Sequence, residues 1–243
     1  MRKLLKISLL PFFIMVCGCS YEGALLAPDD SDPYEKSNRG IFEFNEKLDK
    51  AVLEPVADTY DAVIPEPAQS GFINLISNAE YPITIVNLLL QGRPLESFES
   101  LLKFSINSTI GFFGIFDPAT KIGLKSYDED FGQTLGIWGF GEGSYWMTPL
   151  LGPYTTRHSA GDIIDNLFNP ISYIDNGFSR YGLKALDIIQ DRSDLSGLED
   201  ELYGSYDPYQ YLRDSYLDNR KYKLKNGQTE EIEEFDDISF EGF

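Results

Sequence analysis

The side chains best able to do chemistry are few. Both cysteines stand two positions apart in "FFIMVCGCS", residues 12 to 20, and the one histidine is His158. Cysteines so close resist bridging each other, because disulfide geometry opposes so tight a loop. A zinc site needs about four ligands, and beyond Cys17 and Cys19 the chain offers only His158. No metal site is expected. His158, in "TRHSAGD", has no G-x-S-x-G serine to partner it, and no Walker loop, dinucleotide fingerprint or EF-hand loop occurs. Carboxylates are plentiful at 39 Asp and Glu, so pairs of them occur everywhere and none singles out acid–base catalysis. The run Asp128, Glu129, Asp130 reads as a solvated turn. Neither an enzyme nor a cofactor is expected.

What positions the cysteines is a leader. Arg2, Lys3 and Lys6 precede a short apolar stretch from Leu4 to Val16, broken by Pro11, with small Gly18 just before Cys19. That is the layout of a secretory signal, too short and wrongly flanked for a spanning helix. Val16-Cys17-Gly18-Cys19 resembles the lipobox of bacterial lipoproteins. The resemblance implies that Cys19 is acylated and becomes the mature terminus, while Cys17 leaves with the leader. Several acyl chains on one residue anchor firmly, at about 0.8 kcal/mol per buried methylene. By the same resemblance, Ser20 favours the outer membrane. No cysteine would then remain to pair.

Losing residues 1–18 leaves 225, enough for one sizeable core. The full chain carries a formal charge of -19. Removing the three leader cations leaves 17 basic against 39 acidic residues. Nucleic acid is excluded as a partner, since phosphate binding needs basic clusters. Loose electrostatic adhesion to an anionic lipid surface is equally disfavoured, so membrane residence would rest on apolar contact and the anchor. The end, "TEEIEEFDDISFEGF" from Thr229, has seven acids and no base, and reads as a disordered tail. Aromatic residues make up 14 %, with 17 Phe and 15 Tyr, which suits either an aromatic core or rings at a membrane interface.

Helical spacing dominates between leader and tail. In "DPYEKSNRGIFEFNEKLDKAVLEPV", Asp32 suits an N-cap, Pro33 the first helical position and Glu35 a capping box. Ile41, Phe44, Leu48 and Val52 recur at helical spacing, and Pro55 is expected to stop the run. "DPYQYLRDSYLDNRKY" repeats that opening, with Asp207 as the cap. "YPITIVNLLLQGRP" predicts a helix from Pro82 to a stop at Gly92, with Pro94 beyond. "LESFESLLKFSINSTIG" puts Leu95, Phe98, Leu102, Ile106 and Ile110 on one stripe. Two further amphipathic segments flank Pro170 and Gly177. Such stripes ordinarily mean core. Residues 131–156 differ: one charge, Glu142, with six glycines and both tryptophans. This stretch is expected to be a hairpin turning across Gly139 to Gly143, either buried or at membrane depth beside a cavity.

"DPYEKSNRGIFEFN", "YPITIVNLLLQG", "FSINSTIGFFGIFDPA", "DEDFGQTLGIWGFGEGSYWMTPLLGP" and "TRHSAGD" follow one another as in the MlaA/VacJ outer-membrane lipoproteins, which the chain resembles from about Asp32 to Lys225. The resemblance implies a mainly α fold: a ring- or disc-like bundle of amphipathic helices in the membrane with a small Gly-rich hairpin beside a channel. Residues 1–18 would be the signal peptide, 19–31 a lipid-anchored tether, 32–228 the domain and 229–243 the tail. The family takes mislocalised phospholipid from the outer leaflet through an amphipathic channel to a periplasmic lipid carrier, beside a trimeric porin. By resemblance, Phe44 and Asn45 match its hinge, and Gly132, Gly136, Gly139, Gly141 and Gly143 its channel-side hairpin. One departure is visible: His158 stands where the family usually has an acid. Two rivals stay open, a porin-gripping structural lipoprotein without lipid passage and an anchored lipid hydrolase, the latter lacking a nucleophile motif.

Overall fold

The computed structural model describes residues 32–195, 197 and 199–226, and the lipobox with Cys19, the tether and the acidic tail lie outside them. The chain runs α1 (Glu35–Leu48), a π-helical turn (Asp49–Leu53), α2 (Glu54–Val63), α3 (Glu66–Leu90), α4 (Pro94–Thr109) and α5 (Pro118–Lys121). Then follow α6 (Phe131–Ile137), β1 (Tyr145–Thr148), β2 (Gly152–Thr155), α7 (Thr156–Asp165), a 3-10 turn (Pro170–Tyr173), α8 (Gly177–Leu195), α9 (Glu199–Gly204) and α10 (Pro208–Leu224). β1 and β2 pair antiparallel, with Tyr145 opposite Thr155. The expected mainly α fold with one small hairpin is what the chain adopts. No helix among the described residues is long and apolar enough to cross a membrane.

Three local expectations need correcting. Asp32 does not cap the first helix: Tyr34 holds that position, without a side-chain cap. The Asp32 carboxylate instead accepts from Asn38 Nδ2 at 2.7 Å and from the Tyr209 hydroxyl. Pro55 does not stop the helix either, because proline is tolerated in a first turn and α2 begins at Glu54 after the π-helical turn. The third helix starts at Glu66, with Pro82 inside it. It ends as expected at Gly92, whose φ of 78° suits glycine. Asp207, by contrast, caps α10 by accepting from Gln210 N at 3.2 Å.

The hairpin also lies elsewhere. Residues 131–137 form α6, because Asp130 caps it by accepting from Gln133 N at 2.7 Å. The chain reverses later, at Pro149 to Leu151, where Leu150 takes a φ of 70°. Gly132 and Gly136 therefore serve helix packing. A Cβ on Gly161 would stand 2.3 Å from the Gly132 nitrogen, so α6 and α7 touch backbone to backbone. Where α3 crosses this pair, Asn87 donates to Asp165 at 2.8 Å and accepts from Thr134 at 2.8 Å, while Phe131 N donates to Asp165 at 2.8 Å.

The apolar core is small: Tyr145, Met147 and Tyr209, packed by Ile41, Phe42, Leu212, Tyr216 and Leu217. Among the described residues, sixteen buried side chains are polar or charged and ten are apolar. α4 is inverted outright. Its buried face is Ser97, Ser100, Lys103 and Asn107, while Leu95, Phe98, Leu101 and Leu102 are exposed. The expected stripe is real and faces outward. Water-facing helices carry the opposite arrangement.

Candidate functional site

Behind this inverted surface, α3, α8 and residues 126–128 enclose a cavity of about 460 Å³. A second, of about 260 Å³, adjoins it through Glu80, Thr84 and Asp128, which line both. Carboxylates are frequent in the lining: Glu80 and Asp128 are shared, Asp117, Asp187 and Asp191 face the larger space, and Glu129, Asp130, Asp162 and Asp165 the smaller one. Neither lining contains a lysine or an arginine. Phe72, Ile73 and Leu186 supply apolar wall to the larger one. The space is therefore amphipathic and acidic, although Asp117, Asp128, Glu129 and Asp130 pair with Lys103, Lys223, Arg93 and Arg220 behind it.

Crowded carboxylates hold protons. Glu80 opens into the cavity yet is surrounded by protein, and burial, with Asp187, Asp128 and Asp191 nearby, pushes it up to about 7. Burial likewise pushes Asp162 and Asp165 up to about 6 each. Asp130 goes the other way. Although burial opposes it, the Arg220 guanidinium, donating at 2.6 and 3.0 Å, holds Asp130 well below the usual range. A raised acid means that the folded chain keeps a proton that the unfolded chain releases. For Glu80 that stability is present at acid pH and is lost as pH climbs to about 7. Glu80→Gln is thus expected to raise the thermal midpoint, slightly at pH 5 and more at pH 8. Equal gains at the two pH values in thermal unfolding would show an ordinary carboxyl there.

The expected hinge residues part company. Phe44 points outward and is 52 % exposed, while Phe42 packs instead, edge-on to Tyr209 at 5.9 Å. Asn45 is bound twice to the hairpin tip: its Nδ2 donates to Thr148 O at 2.9 Å and its Oδ1 accepts from Leu150 N at 3.0 Å. Asn38, two helical turns earlier, does the same at the other end of β1, accepting from Met147 N at 2.9 Å. Asn38 Nδ2 also donates to Tyr145 O at 3.4 Å, and seven helical residues rise about 10.5 Å, close to the three-residue step from Tyr145 to Thr148 along β1. Two side-chain amides on α1 thus stand in for a third strand. Sequence reasoning missed Asn38; its heptad spacing from Asn45 was the available signal.

The remaining glycines divide by cause. Gly139 and Gly143 have φ of 93° and 74°, and a Cβ on Gly141 would meet open space. The loop they shape is pinned at Glu142, the one charge in that stretch, which pairs with Arg157. Arg157 also donates to Phe140 O at 3.1 Å. His158 stacks on Tyr154 at 4.8 Å, and its Nδ1 lies 2.8 Å from the Tyr216 hydroxyl. Burial, then the Arg220 charge, pushes it down to about 4, so it packs here as a neutral ring. Cys19 lies outside the described residues. No His/Cys/Asp/Glu group able to hold a metal occurs among them.

The profile of the family described as MlaA lipoprotein matches residues 30–223. A Shigella flexneri protein described as intermembrane phospholipid transport system lipoprotein MlaA is 32 % identical over 218 residues, covering 88 % of this chain and 86 % of its own. An uncharacterized protein of Rickettsia typhi is 35 % identical over 184 residues, covering 75 % and 73 %. A chain solved in work on the structural basis for maintenance of bacterial outer membrane lipid asymmetry superposes with a TM-score of 0.74 at 34 % identity, covering 80 % of this chain and 99 % of that one. The chain belongs to the MlaA lipoprotein family.

Proposed function

We propose that this protein is an outer-membrane lipoprotein of an intermembrane phospholipid transport system. It takes mislocalised phospholipid from the outer leaflet, passes it along the acidic cavity toward the periplasm and so maintains lipid asymmetry. Acylated Cys19 anchors it, and it sits mainly in the periplasm-facing leaflet beside a trimeric porin. A periplasmic lipid carrier receives the lipid, and net direction comes from that carrier. Asn45 and its neighbour Phe44 form the hinge of a gate, with the loop of Gly139, Gly141 and Gly143 beside the channel and Gly132 and Gly136 in its supporting helix.

The observation that carries this reading is the pairing of an outward apolar face on α4 with a polar, carboxylate-lined interior cavity. An apolar exterior around a wet interior is the reverse of a soluble core and fits a short-helix ring within one leaflet. The descriptions of the Shigella flexneri relative and of the superposing chain support its coarser part, a role in intermembrane phospholipid transport and outer-membrane lipid asymmetry.

The experiment obstructs the cavity without touching the outside. Ser77 lines the larger cavity. Ser77→Trp, expressed at normal abundance in a deletion strain, is expected to leave excess surface phospholipid, to the level expected of the deletion itself. Full restoration of asymmetry by this variant would favour the rival, a structural porin-associated lipoprotein through which no lipid passes.

A further inference from the structure

The turn after α4 combines features that water does not require. From Phe104 to Phe116 the chain carries no charge. Phe112 and Phe113 both adopt left-handed backbone, with φ of 54° and 61°. Bulky residues rarely take that conformation, and glycine takes it freely. Glycines flank the pair, at Gly111 and Gly114, yet the strained positions themselves hold phenylalanine. Packing does not account for the choice: the rings are 63 % and 71 % exposed, beside Ile110 at 75 % and Phe116 at 63 %.

Five of the six amides of residues 111–116 donate to backbone carbonyls, Phe112 being the exception. The amides of Gly111, Phe113, Gly114 and Phe116 donate to Ile106, Ser108, Asn107 and Gly111 carbonyls at 2.9 to 3.1 Å, and that of Ile115 to Phe112 O at 3.3 Å. From the inner side, Asn78 donates to Phe113 O at 3.4 Å and Asn74 to Ile115 O at 3.2 Å. A turn in water leaves such carbonyls to solvent. Hydrocarbon cannot solvate them, so irregular backbone there must be satisfied by protein.

We propose that residues 111–116 are a rigid wedge standing in the acyl-chain region of the leaflet, with Phe112 and Phe113 as its inserted tip. The inference rests on the membrane residence proposed above. The wedge continues the exposed stripe of Leu95, Phe98 and Leu102 on α4 without a charge between Lys103 and Asp117. Its fixed left-handed backbone holds both rings outward, so insertion depth is set by the fold and not by side-chain adjustment.

The test places a benzophenone-bearing phenylalanine analogue at position 113, and separately at position 98, in the full chain in native membranes. Each variant is first checked for abundance and for restored lipid asymmetry. After irradiation, the position-113 chain is expected to gain the mass of a phospholipid as efficiently as the position-98 chain. Lipid adducts at 98, with none or only porin or self adducts at 113, would overturn the wedge and leave membrane residence standing. An absence of lipid adducts at both positions would overturn both.

Discussion

In an Asp130→Asn variant the fold is expected to lose about 3–5 kcal/mol, a large part of the roughly 5–15 kcal/mol of an ordinary domain. Asparagine still caps α6, so the loss isolates the charge. Arg220 is 4 % exposed and donates both arms to Asp130. Without its partner the guanidinium remains buried and uncompensated, which is the costly half of a broken pair. Removing both charges, by adding Arg220→Met, is expected to recover most of the stability. The depressed Asp130 value also sets a sign. Its contribution is present above the ordinary carboxylate range and is lost as pH falls through and below it. Denaturant titrations of the purified protein at neutral pH check both variants. A single-variant cost below about 1 kcal/mol would mean that the pair is a surface-like contact.

Deleting Phe44 and Asn45 together is expected to produce a dominant defect: excess surface phospholipid even beside a normal copy of the protein. The deletion turns everything beyond it on α1 by about 200°, since each residue contributes roughly 100°. It also removes the carboxamide that holds Thr148 and Leu150. The π-helical turn at Asp49–Leu53 follows directly and offers a place to absorb the changed register before α2. The hairpin is thereby released while Asn38 still holds its base. Asn45→Leu separates the two effects, because it breaks both bonds and keeps the register; a weaker form of the same defect is expected. Outer-leaflet phospholipid, measured with protein abundance, decides. A stable deletion variant with a recessive, loss-only phenotype would refute the gate, and rapid degradation would show that α1 is simply structural.

Legibility followed the range of the interaction. Asp207 was readable as a cap because a cap is local, needing only the next three residues. The same letters at Asp32 misled, because Tyr209, 177 positions away, takes that carboxylate. Leu95, Phe98 and Leu102 did mark a face of α4, but spacing reports that a face exists and not which way it points. That direction is the functional fact. Gly139 and Gly143 do take left-handed backbone, but they shape a loop and not the expected hairpin, whose reversal falls at Leu150, a residue that carries no turn signal. Glu80 was invisible for a different reason: one carboxylate among 39 cannot be singled out until the chain gathers its neighbours.

α10 ties distant parts of the chain together. It carries Tyr209 into the aromatic core and hydrogen-bonds Asp32 through it. Its cap, Asp207, clasps Arg39 across 168 residues, and Arg220 reaches back to Asp130. Contacts so distant in sequence form late, because loop-closure entropy must be met before they reward the chain. A nascent chain made from its first residue onward thus waits for α10 before the fold can close. During that interval the outward leucines and phenylalanines are exposed together with an unfilled core. Productive assembly of this protein is therefore a race between helix docking and aggregation, and a holding chaperone that shields those surfaces favours docking.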